Sequence, residues 1–138
     1  MKTVLLTVGK AQAPFAAADA HYRKLLGRYQ PLTVLEARDD ADLVGKLPSG
    51  ARIVALDREG AQLDSIAWGR WLDERRLEAR DLWLLVGGPA GLPGEALEAA
   101  HERISLGAPT LPHQLARVVV MEQLFRAAKI LAGEPYHC

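Results

Sequence analysis

Leu82-Trp83-Leu84-Leu85-Val86-Gly87-Gly88-Pro89-Ala90-Gly91-Leu92-Pro93-Gly94 is an apolar run that breaks into a segment with four glycines and two prolines. An unbroken apolar run bounded by turn residues reads as a strand buried on both faces, the kind found in parallel sheets. Glycines at the carboxyl edge of such a strand let backbone amides approach a ligand closely. A strand-to-helix turn that merely needs small residues explains the same letters. The glycines do not follow G-x-G-x-x-G, and G-x-x-x-x-G-K-[ST] is absent from the chain. A dinucleotide fingerprint and a P-loop are therefore excluded.

The same punctuation recurs on either side. Val4–Val8 ended by Gly9, Leu32–Ala37, Ile53–Leu56 ended by Asp57, and Arg103–Leu106 read as further strands. A helix is expected from Pro14 to about Tyr29, with Phe15, Tyr22, Leu25 and Leu26 at helical spacings. Another runs from a cap at Asp64 or Ser65 to about Glu78, with Ile66, Ala67, Trp71 and Leu72 as its apolar positions. Glu95–His101 and Leu115–Leu131 complete the helices, and the polar stretch Arg38–Gly50 holds a short one. Strands alternating with helices predict an α/β fold with a mainly parallel sheet flanked by helices. At 138 residues and 15.0 kDa, one domain spanning 1–138 is expected.

Composition narrows the function classes. Lys+Arg and Asp+Glu are both 17, so nucleic acid is not gripped by bulk charge and any such contact needs a local patch. A single cysteine excludes an internal disulfide framework and a Cys-based zinc cluster, and no pair of histidines has metal-ligand spacing. No metal is therefore expected. No apolar run approaches the roughly 20 residues of a membrane span, so no membrane partner is expected and the address read is cytoplasmic.

Two further features bear on function. Leu106-Gly107-Ala108-Pro109-Thr110-Leu111-Pro112-His113 is a second rigid Gly–Pro loop that follows a strand and enters the last helix. Together with the Gly87–Gly94 segment it could wall a pocket at the sheet edge, or Thr110 could simply cap the helix. In that helix, Val118, Val120, Met121, Leu124, Phe125, Ala128 and Leu131 cover an arc of roughly 180°. An arc this wide predicts burial against the sheet and against a partner, with an ordinary core helix as the alternative. Arg117 falls inside the arc, where a cation needs an anion, a carbonyl edge or a nucleic-acid phosphate unless it snorkels to water. Residues 1–34 carry Lys2, Lys10, Arg23, Lys24 and Arg28 against Asp19 alone, a stripe that suits phosphates or a solvated face.

Taken in order, Val54-Ala55-Leu56-Asp57, the Leu85–Leu92 block, Ser105-Leu106 through Thr110-Leu111-Pro112-His113, Arg117–Ala127 and Pro135-Tyr136-His137 resemble the ribosomal large-subunit pseudouridine N3-methyltransferases of the SPOUT class. The resemblance implies an α/β fold with a deep C-terminal trefoil knot and a homodimer packed through the knotted regions. It implies S-adenosylmethionine held by Leu56, Gly88 and the loop Gly107, Ala108, Pro109, Thr110, Leu111 and Pro112. It implies methyl transfer to N3 of a pseudouridine in 23S rRNA of the large subunit or the assembled ribosome. Tyr136 and His137 are then the catalytic tail, with His137 the better proton acceptor near neutral pH, and Arg117, Arg23 and Lys24 the RNA contacts. A SPOUT enzyme acting on another RNA such as tRNA, or a non-catalytic ribosome-binding module of the same fold, are the alternatives. Family members place a basic residue after Tyr-His, where this chain has Cys138. Because the tail lies past Gly133 and Pro135, its removal is expected to cost little stability.

Overall fold

The computed structural model describes residues 1–136. Its elements are β1 (Thr3–Val8), α1 (Ala16–Leu26), β2 (Leu32–Ala37), α2 (Asp40–Gly45), β3 (Arg52–Gln62), α3 (Ser65–Leu77), β4 (Leu82–Val86), α4 (Gly94–Ala99), β5 (Glu102–Ser105) and α5 (His113–Leu131). The strands form one sheet in the order β2-β1-β4-β3-β5, and every pairing is parallel. All carboxyl ends therefore lie along one edge, and all crossovers are helical.

Alternation within the strands divides the core. Leu5, Val54 and Leu84 pack with Leu26 of α1, Trp68 of α3 and Leu124 of α5. Their neighbours Leu6, Ile53 and Leu85 pack with Leu43 of α2 and Ala96 of α4. The central strands are buried on both faces, which is why they read as continuous apolar runs.

The wide apolar arc of α5 is consumed inside the chain. α5 lies between α1 and α3, so Val120, Met121 and Leu124 are fully buried without any partner. Truncating Met121 or Leu124 to Ala is worth about 2–5 kcal/mol of fold stability. The arc thus reports a helix wedged between two others, and it does not by itself call for a second subunit.

α3 buries Trp71 and Leu72 as expected, but its first turn differs from the expected stripe. Trp68, Gly69, Trp71 and Leu72 are buried, whereas Ile66 is 43% exposed. Packing against α5 sets this phase: a Cβ at Gly69 would sit 3.4 Å from Ile130 Cγ2. The expected cap holds, since the Asp64 carboxylate accepts from Ala67 N at 2.8 Å. β3 also continues beyond Leu56. Leu56 and Ala61 both pair with Ile104, so residues 57–60 loop out as a bulge at the carboxyl edge. Gly60 is required there, because a Cβ would lie 2.5 Å from the Arg103 carbonyl carbon.

The chain end folds back on α5. The Tyr136 ring meets Phe125 edge-on at 4.9 Å and lies under the Arg126 guanidinium at 4.8 Å. Tyr29 at the end of α1 packs on Phe125 and donates its hydroxyl to Glu134. Tyr136 is therefore part of the packing and not a frayed end.

Candidate cofactor cleft and tail cluster

The carboxyl edge of the sheet opens into a cleft of about 520 Å³, within the range of small-molecule sites. Three strand ends supply its walls. Leu56 and Asp57 come from β3, Val86 through Leu92 from β4 and its loop, and Leu106 onward from β5 and its loop. His113 and Ala116 at the start of α5 close one side.

The two Gly–Pro loops are built differently. In the first, Gly91 N donates to Gly88 O at 2.9 Å, which folds the loop over itself. A Cβ on Gly87 would lie 2.3 Å from the Gly91 carbonyl carbon, so Gly87 serves the turn. Gly88 differs: its nearest neighbour would be the Val8 side chain at 3.4 Å, and it lines the cleft. The turn reading therefore holds at Gly87, while Gly88 lies on the cleft. In the second loop, Ser105 Oγ donates to Gly107 O and accepts from Gly107 N, both at 3.1 Å. Thr110 does not cap α5; Pro112 occupies the cap position with no side-chain bond, and Thr110 lines the cleft.

The structure thus brings Leu56, Gly88, Gly107, Pro109, Thr110 and Leu111 to one cleft. Ala108 and Pro112 belong to the same loop without lining it. The lining is apolar side chain and backbone, with Asp57, Arg58 and His113 as its ionisable members. That donor set suits a ligand such as S-adenosylmethionine. Backbone amides and carbonyls can read adenine, and Leu56, Val86 and Leu106 can cover its faces.

Arg117 is a correction. Its side chain is 1% exposed, and Nε meets Asp19 Oδ2 at 2.7 Å while Nη1 meets Glu36 Oε2 at 3.0 Å. Nη1 also donates to Thr7 Oγ1 and Gly9 O. The anion and the carbonyl edge are internal, so no phosphate reaches this guanidinium. It clamps α5 to α1 and to the end of β1. Gln114 adds to that clamp by donating to Lys10 O and accepting from Gln12 N. Arg23 and Lys24 are exposed in the last turn of α1, with no ion pair among the described residues, and stay open to solvent or nucleic acid.

His137 and Cys138 lie outside the described residues. Tyr136 does not line its own chain's cleft. It packs on Phe125 and Arg126, about 15 Å along α5 from Ala116 at 1.5 Å per residue. Burial, then the nearby Glu122 charge, raises the Tyr136 phenol above its ordinary value of 10.0. The hydroxyl is therefore protonated near neutral pH and can donate a hydrogen bond but cannot serve as base. Arg126 holds the tail by donating Nη1 to Tyr136 O at 3.2 Å, and Glu122 pairs with Arg126. The i, i+4 spacing of Glu122 and Arg126 is the sequence signal for this pair. His101, by contrast, is structural, its Nδ1 accepting from Ile53 N at 3.0 Å.

Against known proteins, the family model described as "Predicted SPOUT methyltransferase" matches residues 1–137. The chain belongs to the SPOUT methyltransferase family. It is 39% identical to a Gemmatimonas aurantiaca protein named ribosomal RNA large subunit methyltransferase H, over 99% of both chains. A protein of the same name from Xanthomonas oryzae pv. oryzae is also 39% identical over 99% of both. Among solved structures, a "probable methylase family protein" from Haemophilus influenzae Rd KW20 superposes with a TM-score of 0.63 at 11% identity, covering 99% of this chain and 70% of that one. A "probable methyltransferase" from Bordetella pertussis Tohama I gives 0.58 at 17% identity, covering 92% and 96%. These two likenesses speak for the SPOUT fold. As a member of this family, the chain has the five-stranded parallel sheet with its cleft at the carboxyl edge.

Proposed function

We propose that this chain is an S-adenosylmethionine-dependent methyltransferase that methylates N3 of a pseudouridine in 23S rRNA of the large ribosomal subunit. The observation that carries the reading is the cleft. The two glycine–proline blocks that mark the sequence converge there, on a surface of backbone and mostly apolar groups that includes Leu56. Full-length identity to proteins named for large-subunit rRNA methylation favours this substrate over tRNA, and over a module without catalysis.

Bound in the cleft, S-adenosylmethionine supplies an electrophilic methyl group on its sulfonium. The chain's part is to align the accepting nitrogen and to remove its proton. N3 of pseudouridine is an imide nitrogen between two carbonyls, and it attacks well only once deprotonated. His137 is the proton acceptor in this reading. Tyr136, held protonated, donates a hydrogen bond that orients the base or a uracil carbonyl. Alignment of nitrogen, methyl and sulfur supplies the rest of the rate.

The distance between cleft and tail supports a homodimer. Since Tyr136 packs about 15 Å along α5 from its own cleft, the tail of one protomer serves the cleft of the other. In this reading the two loops and α5 take part in that interface, as the family's expected trefoil knot implies. Arg23 and Lys24 are the proposed rRNA contacts, and the cytoplasm the proposed compartment. Mass spectrometry of 23S rRNA tests the reading. Cells lacking the protein should lose one methyl group on a pseudouridine, regained on complementation by the natural chain and not by Gly88→Val. A methyl group that persists in the deleted strain contradicts it.

A further inference from the structure

The strands on either side of β4 each lead into a cation that the chain leaves unpaired. Lys10 stands just past β1, and Arg58 stands in the 57–60 bulge of β3. Both are exposed, and neither side chain has a hydrogen bond or ion pair among the described residues. Other arginines of this edge are engaged. Arg103 pairs with Asp57 at 3.6 Å, Arg38 with Asp42 at 3.5 Å, and Arg117 with Asp19 and Glu36. Of the two acids in the bulge, Asp57 is thus held by Arg103, and Glu59 is exposed.

The backbone under both cations is fixed beside the cleft. Arg58 lines it, and its bulge is pinned where Gly60 packs on the Arg103 carbonyl. On the other side, Gln114 donates to Lys10 O at 2.8 Å and accepts from Gln12 N at 3.0 Å. These bonds tie the segment after β1 to the first turn of α5, next to His113 of the cleft lining. With β4 between them, β1 and β3 stand about 10 Å apart. Two cations so placed do not suit one small anion. Lys10 does not line the cleft, so a ligand lying wholly inside would meet Arg58 alone. A polyanion laid across the mouth can meet both. A chain of zero formal charge holds RNA by local cations, and Arg23 and Lys24 lie in the last turn of α1, toward the amino edge where β2 begins. We infer that Lys10 and Arg58 hold backbone phosphates of the rRNA on either side of the β4 loop and so position the target nucleotide over the cofactor cleft. Such contacts set register and carry no base identity. This inference rests on the rRNA methyltransferase reading above and adds where the substrate strand crosses the chain.

Methyl transfer to ribosomes from cells lacking the protein tests it, alongside calorimetric titration of S-adenosylmethionine into the same full-length proteins. Arg58→Ala and Lys10→Ala should each raise KM for ribosomes about tenfold, the scale of losing one charged hydrogen bond. Each should also reduce the slope of log kcat/KM against log salt by roughly 0.7–1. Arg58→Lys keeps the charge and should recover most of the loss, whereas Arg58→Glu should raise KM further. Cofactor affinity should match that of the natural chain throughout. Neither side chain bonds within the chain, so Tm should not change. Natural KM and salt slope in both Ala variants would overturn the inference. Weaker S-adenosylmethionine binding by Arg58→Ala, with KM for ribosomes unchanged, would overturn it by giving Arg58 to the cofactor carboxylate. A natural chain that binds S-adenosylmethionine yet leaves those ribosomes unmethylated overturns the rRNA reading and this inference with it.

Discussion

The two edges of the sheet are built from opposite chemistry. At the amino edge, charges close on one another. Glu102 accepts from Trp71 Nε1 at 2.8 Å and Arg75 Nη1 at 3.0 Å, and Arg52 lies within 3.7 Å of it. Asp81 takes the Lys2 amide, Arg80 reaches Ala51 O, and Arg76 reaches Gln30, which in turn donates to Thr3. The carboxyl edge is glycine, proline and apolar surface around a cleft. The amino edge joins α3, β3 and β5 through side-chain bonds and ion pairs and so contributes to folding. The other lines a cleft with few charged side chains, which is the arrangement of a binding site. Substitutions at the two edges should therefore separate stability from binding.

The largest effect is expected where the two roles meet, at the Arg117 clamp behind the cleft. Arg117→Ala leaves Asp19 buried without its cation, and should lower the unfolding free energy by about 3–5 kcal/mol in urea titrations. A variant as stable as the natural chain would show that the clamp is not structural, and would return Arg117 to the RNA contacts.

Next comes the tail. Deleting Tyr136–Cys138 should reduce methyl transfer on the order of a hundredfold, the scale of losing a positioned acid–base group. The loss of the Tyr136–Phe125 contact should also cost stability, about 0.5–1.5 kcal/mol. Mixing tail-deleted subunits with Gly88→Val subunits should restore activity in the heterodimer, since each then carries one intact half of a site. Mixtures that stay inactive would place cleft and tail of one chain together.

At the amino edge, Glu102→Ala removes the acceptor shared by Trp71 and Arg75. It should cost about 1–3 kcal/mol of stability while leaving cofactor affinity unchanged by calorimetry. Weaker cofactor binding would mean that the edges are coupled.

The smallest effect is spectroscopic. The raised value of the Tyr136 phenol means that its packing contribution is fully present below about pH 10 and is lost as pH rises through the raised value. The difference in ultraviolet titration between the natural chain and Tyr136→Phe should show one phenol ionising later than an ordinary tyrosine. Ionisation at or below the ordinary value would mean that the ring is solvated.

How much of this was legible in the sequence differs by region for physical reasons. The Leu82–Val86 strand and the Gly87–Leu92 loop were readable because a strand buried on both faces leaves no polar alternation and its turn needs glycine. The extension of β3 was not. Arg58 and Glu59 are a polar bulge, and pairing resumes at Ala61 only because β5 lies alongside. In α3, Trp71 and Leu72 are buried as expected, but the first turn was misread, because Gly69, which no hydrophobicity pattern marks, packs against Ile130 of α5. Arg117 announced that it needed a partner, but Asp19 lies 98 residues away along the chain, a pairing only the fold creates. The breadth of the α5 arc was seen correctly, and α1 and α3 supply in one chain the second surface expected from a partner. The packing of Tyr136 on Phe125 is tertiary too, so the tail looked free.

Titration of S-adenosylmethionine into the natural chain and Gly88→Val, with the melting temperature of each, tests the central claim most directly. A Cβ at Gly88 would meet only the Val8 side chain, at 3.4 Å, and no backbone, so the fold should hold. The account predicts an unchanged melting temperature and at least roughly tenfold weaker binding, about 1.4 kcal/mol. Equal affinity in a variant that melts with the natural chain would contradict it, because the cofactor would then lie away from the Gly88 loop.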